Sequence, residues 1–420
     1  MKFLITGGKK LDGEIDVLGS KNAALPIIAA TLLSEEEIIL ENIPLIGDVF
    51  AMLDILKSMG SKQRWLAERT LSVKNNEIEP GKINQSLVNK IRASVLLIGP
   101  LLAKFGSAKI HSPGGCHIGA RPLDAHLKAF GDAGAEIDFD ERTNLYNLRL
   151  PKVTCSTITL KEQSVTATEN LMMFFSLFPG KAEIRLSAVE PHVVDLGKFL
   201  MNLGVGARGL GTTTIRIKGE KKLTSKNVRH SIVADYIEAG TFLVLAAVTN
   251  SKIGIRNFPA THLESVLQKA KDFGVKYLFK DSLFIVEPSL LKASYVKTQP
   301  HPGFPTDLQS LFGLLATQAK GESVIFDTLY EGRLKYVEEL KKMGAQAKIL
   351  DLHRAIVFGP TGLRGAEIES PDLRAGALLV IAALAANGSS VLHNIKQIDR
   401  GYERLEERLR ILGADIRRVE

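Results

Sequence analysis

Only two cysteines, Cys116 and Cys155, occur in 420 residues, and their surroundings do not resemble each other. No CxxC pair exists, so neither a disulfide framework nor a cysteine-based zinc site is expected. The histidines are scattered, with His111, His117 and His126 the nearest thing to a cluster, and no metal is expected. Aromatic residues make up 6% of the chain and do not interleave with basic ones, which argues against a base-stacking nucleic-acid surface. No apolar run reaches bilayer length; the stretch 375–386 stops short of it. The opening Met1-Lys2-Phe3-Leu4-Ile5-Thr6-Gly7-Gly8 has too short an apolar run for a signal peptide. The expectation is a cytoplasmic globular protein with no membrane partner.

Charge is present in excess of one sign, at +8, but spread through the chain rather than blocked. Such a distribution suits a polyanionic small substrate better than a nucleic-acid strand. Hydrophobic and charged contents of 45% and 24% are those of a globular protein.

The dominant feature is repetition. A small-residue apolar helix, a short strand, an amphipathic helix, a glycine and another strand recur six times. The marker glycines are Gly60, Gly134, Gly204, Gly274, Gly344 and Gly413, at intervals of 74, 70, 70, 70 and 69 residues. Each unit is then one supersecondary block. The chain is too long for one ordinary core, and six units divide most simply into two domains of three. In the last unit, 373–386 is apolar or small nearly all round, which predicts a helix buried on every side. Residues 389–394 alternate as a strand, and 402–412 places Leu405, Leu409 and Leu412 on one helical face. The other buried helices are predicted within 23–33, 93–105, 169–178, 238–248 and 308–319. Helices apolar all round belong inside and half-polar strands outside. The predicted fold class is α/β (α+β): a two-domain inside-out α/β barrel of six units, three per domain.

The buried helices begin at Ser20-Lys21-Asn22, Asn89-Lys90-Ile91-Arg92, Ser164-Val165-Thr166-Ala167-Thr168, Asp235-Tyr236-Ile237-Glu238, Pro305-Thr306-Asp307 and Pro371-Asp372-Leu373-Arg374. Each sets polar or charged side chains at the positive end of a helix dipole, beside unsatisfied backbone donors. If these starts point the same way, the gap between the domains is lined with anion-binding ends, strengthened by Lys21, Arg92 and Arg374. Capping accounts for Ser20, Thr306 and Asp372 taken singly, and Asp307 is equally readable as a helix-start acid. Three cations at one place in the repeat are less easily explained, because helix starts favour acids.

One unit departs from the ruler. From the end of the first strand to the marker glycine is 18 residues from Asn42, 17 from Ser187, Asn257 and Asp327, and 19 from Asn394, but 22 from Ser112. The excess lies in Pro113-Gly114-Gly115-Cys116-His117-Ile118-Gly119-Ala120-Arg121-Pro122. Three glycines between two prolines suggest a hinged loop over a site. Cys116, beside His117 and five residues before Arg121, has the electropositive setting that favours a thiolate; the alternative is an incidental thiol. Cys155 reads as an ordinary strand residue.

This loop, together with Gly19-Ser20-Lys21-Asn22-Ala23-Ala24-Leu25-Pro26, Phe304-Pro305-Thr306-Asp307, Asp372-Leu373-Arg374-Ala375 and Asp399-Arg400-Gly401-Tyr402-Glu403, resembles the UDP-N-acetylglucosamine enolpyruvyl transferases. The likeness runs from about residue 3 to the end. It implies transfer of the enolpyruvyl group of phosphoenolpyruvate to the 3-hydroxyl of UDP-N-acetylglucosamine, through a tetrahedral ketal, as the first committed step of peptidoglycan synthesis. It implies no cofactor. By the resemblance, Asp307 is the general base, Cys116 protonates the methylene carbon of phosphoenolpyruvate or forms the covalent adduct with it, and fosfomycin alkylates this loop cysteine. Lys21, Arg121 and Arg400 hold the phosphate and carboxylate of phosphoenolpyruvate, with Asn22 and Arg374 beside them. Arg92, Arg121, Pro122, Leu123, Asp124, Ala125 and the neighbouring His126, with Ser164, Val165, Thr166, Asp307, Leu329 and Arg333, receive the sugar nucleotide. The expected domains are 21–233, carrying the loop 113–122, and 1–20 with 234–420, the active site lying in the cleft between them. Departures from the family pattern are Tyr330-Glu331-Gly332-Arg333 where Phe-Glu-Asn-Arg is usual, the bulky Phe174-Phe175-Ser176-Leu177-Phe178, and Tyr236 where arginine is common.

The nearest alternative is the shikimate 3-phosphate enolpyruvyl transferase, which lacks the cysteine loop. A DNA-encircling clamp would also suit repeated α/β units and positive charge, but has no use for Cys116 or for acids beside the cations. A nucleotide-sugar binder without activity is disfavoured because every expected polar residue is in place. Gly204-Val205-Gly206-Ala207-Arg208-Gly209 fits GxGxxG, yet it follows a helix and precedes a strand, the reverse of the dinucleotide fingerprint. Gly19-Ser20-Lys21 lacks the order of a phosphate loop.

Overall fold

The computed structural model describes residues 1–111 and 123–420. The chain forms two compact units, one of Met1–Leu18 with Ala234–Glu420 and the other of the described residues within 19–233. Each has its own apolar core. Six central helices, α1 (Lys21–Ala30), α2 (Ile98–Phe105), α3 (Val165–Ser176), α4 (Tyr236–Val248), α5 (Thr306–Thr317) and α6 (Leu373–Ala385), carry the buried runs. Every residue of α4 is buried, and α1 buries all but Asn22. In one unit α4, α5 and α6 pack on one another; in the other α2 packs on α3, and the 3-10 helix Arg92–Leu97 touches α1 and α3. Each fully buried leucine or isoleucine in these interfaces contributes about 1.5–3 kcal/mol, which outweighs the missing amphipathic face.

The helix expected within 93–105 is broken into Arg92–Leu97 and α2. Pro100 has no N–H to donate back to Leu96, so it sits in the first turn of a new α-helix where that loss is tolerated.

Sheets cover the helices. Five have four strands and one plan, seen in Tyr295–Lys297, Gly321–Phe326, Arg354–Gly359 and Gln346–Ile349, in that order across the sheet. The first pair is parallel, as a strand–helix–strand crossover requires, and the rest are antiparallel. The five four-stranded sheets thus each include a strand ahead of a central helix, and in the first five units the marker glycine is followed by a hairpin, where the sequence pattern indicated only one further strand. The extra strands Thr157–Thr159, Tyr295–Lys297 and Glu367–Glu369 have three residues with one buried, too few to show alternation. The sheets are separate, so the expected barrel has no closed wall among the described residues.

The three-stranded sheet Ser107–His111, Leu145–Arg149 and Glu136–Asp140 lacks the parallel strand. Gln85 substitutes for it: its Nε2 donates to the Lys109 carbonyl and its Oε1 accepts from the His111 N–H, both at 3.0 Å.

Two strands trade places between units. Asp12–Asp16, ahead of α1, pairs in parallel with Lys252–Arg256, whereas Val228–Ser231, ahead of α4, pairs in parallel with Ile38–Glu41. Lys2–Thr6 lies between Ser389–His393 and Asp415–Val419 with Lys2 opposite Val419, so the N-terminal segment completes the last repeat.

All six marker glycines are left-handed, with φ from 82° at Gly274 to 109° at Gly134. The residues just before them, Met59, Ala133, Leu203, Phe273, Met343 and Leu412, are buried. The glycine reverses the chain after a helix whose last residue is in the core, a conformation other residues adopt only with strain. No helix among the described residues is long and apolar enough to cross a membrane.

Candidate active site

Three helix starts meet in the unit containing 234–420. Asp235 caps α4, its Oδ1 accepting from the N–H groups of Ile237 and Glu238 at 2.8 and 3.3 Å. Asp372 caps α6 in the same way, accepting from Arg374 and Ala375 at 2.8 and 3.0 Å. Thr306 opens α5, and Asp307 follows in its first turn. Arg333 Nη2 donates to Asp307 Oδ1 at 2.7 Å, and Arg374 Nη2 donates to Oδ2 at 3.1 Å. Arg374 is buried and Arg333 mostly so, while the Asp307 side chain stays 23% exposed, so the carboxylate keeps one open side. Burial opposes its ionisation, but Arg374 and Arg333 together outweigh burial and hold the carboxyl well below the ordinary range.

Arg374 is itself held from behind. Its Nη1 donates to the Tyr402 hydroxyl at 3.4 Å, its guanidinium lies 5.7 Å from that ring centroid, and Tyr402 shares a 2.8 Å hydrogen bond with Thr241 of α4. The charge of Asp235 acts on Arg374 as well, which ties the third helix start to the other two. Leu329 is exposed on the loop leading to Arg333, and Tyr330 places its ring 5.2 Å from the Arg333 guanidinium. Arg400 ends the 3-10 helix Ile395–Arg400, and its Nη1 donates to Gln397 Oε1 at 3.1 Å.

The unit of residues 19–233 carries a second set. Lys21 is the first residue of α1, and its buried ammonium lies 2.6 Å from Asp48 Oδ2. Ser20 makes no side-chain cap bond, so capping does not explain it, and Asn22 is half-buried. Arg92 begins its 3-10 helix. Ser164 caps α3, accepting from the Ala167 N–H at 3.4 Å, and Val165 and Thr166 follow half-buried. Leu123 and Ala125 are buried and Asp124 exposed at the start of the helix Asp124–Asp132.

His126, on that helix, is buried and fixed in one form. Asn170 Oδ1 accepts from the Gly99 N–H at 2.7 Å, so its amide nitrogen donates to Val95 O at 2.9 Å and to His126 Nδ1 at 3.1 Å. The proton of the neutral ring therefore sits on Nε2, which donates to Thr166 Oγ1 at 2.9 Å. Burial, reinforced by the positive charge of Arg92, lowers the His126 pKa to about 3. Thr166 accepts from the histidine and keeps its own hydroxyl proton to donate.

The structure therefore gathers Asp307, Arg333 and Arg374 directly, and links Arg92, His126 and Thr166 in the other unit. Cys116, Arg121 and Pro122 lie outside the described residues. Asp48, Asp235 and Tyr402 escaped the sequence reading as site residues; Asp235 was visible as a helix start, and Asp48 only as an acid in the first turn of Gly47–Ser58. Cys155 is exposed and outside any strand, its Sγ 3.2 Å from Thr157 O, which corrects the strand assignment. Phe174, Phe175 and Phe178 form an aromatic cluster with Phe130, so their bulk serves the core.

A family model described as EPSP synthase (3-phosphoshikimate 1-carboxyvinyltransferase) matches residues 5–409. The chain belongs to this family of carboxyvinyl transferases. A relative from Carboxydothermus hydrogenoformans, named UDP-N-acetylglucosamine 1-carboxyvinyltransferase 1, is 45% identical over 419 residues, covering 100% of this chain and 98% of its own. A Campylobacter hominis protein named UDP-N-acetylglucosamine 1-carboxyvinyltransferase is 43% identical over 421 residues, covering 100% of both. The solved enolpyruvyl transferase NikO of Streptomyces tendae matches with a TM-score of 0.90 at 24% identity, over 99% of this chain and 98% of its own. An EPSP synthase structure from Acinetobacter baumannii matches with a TM-score of 0.75 at 17% identity, over 99% of each chain. These two likenesses concern the fold.

Proposed function

We propose that this protein transfers the enolpyruvyl group of phosphoenolpyruvate to the 3-hydroxyl of UDP-N-acetylglucosamine and releases phosphate, the committed entry to peptidoglycan precursors in the cytoplasm. The observation that carries this reading is the open Asp307 carboxylate clamped by Arg333 and Arg374, in a chain whose full-length relatives bear that enzyme's name. Asp307 takes the proton from the sugar hydroxyl as its oxygen bonds to the central carbon of phosphoenolpyruvate. Cys116 gives a proton to the methylene carbon, which completes the tetrahedral ketal. Loss of a proton from the methyl group and departure of phosphate then restore the double bond. Phosphoenolpyruvate carries about three negative charges near neutral pH, so several cations must meet it; Lys21, Arg121 and Arg400 fill that role, with Asn22 and Arg374. Arg92, Leu123, Asp124, Ala125, Ser164, Val165, Thr166, Leu329 and Arg333 receive the nucleotide sugar, together with Arg121 and Pro122.

A carboxylate held by two guanidiniums is a poor base. An anionic substrate that draws Arg374 toward itself removes one of the two, and the Asp307 pKa then rises toward its ordinary value. The base is thus weak until its reaction partner arrives. The reading is tested by identifying the product by NMR after incubation with phosphoenolpyruvate and UDP-N-acetylglucosamine. A vinyl ether at the sugar 3-oxygen is expected; a product formed only on shikimate 3-phosphate contradicts it.

A further inference from the structure

We propose that Asp327 is a positioning residue that locks Asp307 and Arg333 in register; the inference rests on the enolpyruvyl-transfer reading of the site. Asp327 directly follows the strand Gly321–Phe326 and is fully buried. Its Oδ2 accepts from the Thr306 hydroxyl at 2.5 Å and from the Gln309 amide at 3.4 Å. Its Oδ1 accepts from the N–H groups of Leu329 and Tyr330 at 2.9 and 3.1 Å, and from the Thr298 hydroxyl at 3.3 Å. One carboxylate therefore grips two different pieces of chain. On one side is the start of α5, which carries Asp307. On the other is the loop that carries Leu329 and leads to Arg333.

Those two pieces meet again at the site itself. Arg333 Nη1 donates to the Thr306 carbonyl at 3.2 Å while its Nη2 holds Asp307. The result is a closed loop of contacts, from Asp327 through Thr306 to Arg333 and back through the loop backbone. An Asx turn alone accounts for the Oδ1 bonds to Leu329 and Tyr330. It does not account for Oδ2, which reaches 21 residues back to Thr306. The two oxygens thus do separate tasks, and the Thr306 bond to Oδ2 can be removed without touching the turn. Buried, satisfied networks of this kind fix a geometry, and reacting groups lose rate steeply when displaced by fractions of an ångström.

The test is Thr306→Val, which deletes the shorter of the two Oδ2 hydrogen bonds and leaves the longer one from Gln309, beside Thr306→Ser, which keeps both. The Val variant is expected to lower kcat by about tenfold to a hundredfold, with the KM for phosphoenolpyruvate within about twofold. Its acid limb in the pH profile of kcat moves to higher pH, because a loosened Arg333 no longer depresses Asp307 as strongly. Thr306→Ser restores both. In the ligand-free protein, carbon NMR of labelled aspartate should show Asp307 titrating higher in the Val variant than in wild type and in the Ser variant. A Val variant with wild-type kcat, wild-type pH profile and unchanged Asp307 titration overturns the proposal, whatever its melting temperature. Wild-type protein that makes no vinyl ether refutes the transfer reading instead, and the NMR titration still decides the role of Asp327.

Discussion

At the scale of single residues, the proposed chemistry rests on Asp307 as the base and on Arg374 and Arg333 as the groups that hold its basicity down. Asp307→Asn keeps the shape of the site but removes the base, so kcat is expected to fall by about 10²–10⁴-fold. Affinity for the sugar nucleotide, measured by calorimetry, should stay within a few-fold. His126 gives a second prediction. Its pKa is lowered to about 3 in the folded protein, against about 6.5 when unfolded, so the unfolded chain binds more protons between those values. The stabilising contribution is then complete above about pH 6.5 and declines as the pH falls toward 3. Between pH 7 and pH 5 the loss amounts to roughly 2 kcal/mol, read as reduced hydrogen-exchange protection along α3 in wild type but not in His126→Gln. A ring that titrates near 6.5 by NMR contradicts it. The placement of Asp307, Lys21, Arg92 and Arg374 at helix starts was legible because these starts repeat and polar residues stand out against small apolar runs. Tyr402 and Asp48 were not, since each matters only through a partner elsewhere in the sequence: Tyr402 reaches Arg374 across 28 residues, and Asp48 meets Lys21 from another helix.

Among elements, the six marker glycines share a left-handed conformation but not a common environment. A Cβ at Gly413 meets nothing within 4 Å, whereas one at Gly134 comes within 2.4 Å of the Lys152 carbonyl and 2.8 Å of Thr154 Oγ1. Gly413→Ala should therefore cost only the left-handed backbone penalty, about 1–2 kcal/mol, and Gly134→Ala clearly more. Thermal melts of the two variants measure the difference, and equal losses would contradict the steric argument. The buried helices and marker glycines were readable because a fully apolar helix and a 70-residue period leave strong patterns. The three-residue strands were not, and neither was the Gln85 amide that stands in for a missing strand, because hydrogen bonding at a sheet edge leaves no periodic trace.

At the scale of the whole chain, the exchanged strands determine which pieces can fold alone. Among the described residues, 19–233 contains every strand of its three sheets, whereas 234–420 lacks Lys2–Thr6 and Asp12–Asp16. A fragment of 19–233 should melt cooperatively. The fragment 234–420 should not, unless 1–18 is joined after residue 420, where Lys2 already lies opposite Val419. Circular dichroism melts of the three proteins test this. The six-unit, two-unit organisation was legible from the repeat, but the exchange was not, since Asp12–Asp16 has only one buried residue. The most direct measurement of the central claim is phosphate release from phosphoenolpyruvate by the purified protein, with UDP-N-acetylglucosamine, with shikimate 3-phosphate, and with neither. Release confined to the first mixture is the predicted result; release with shikimate 3-phosphate, or none with UDP-N-acetylglucosamine, would contradict it.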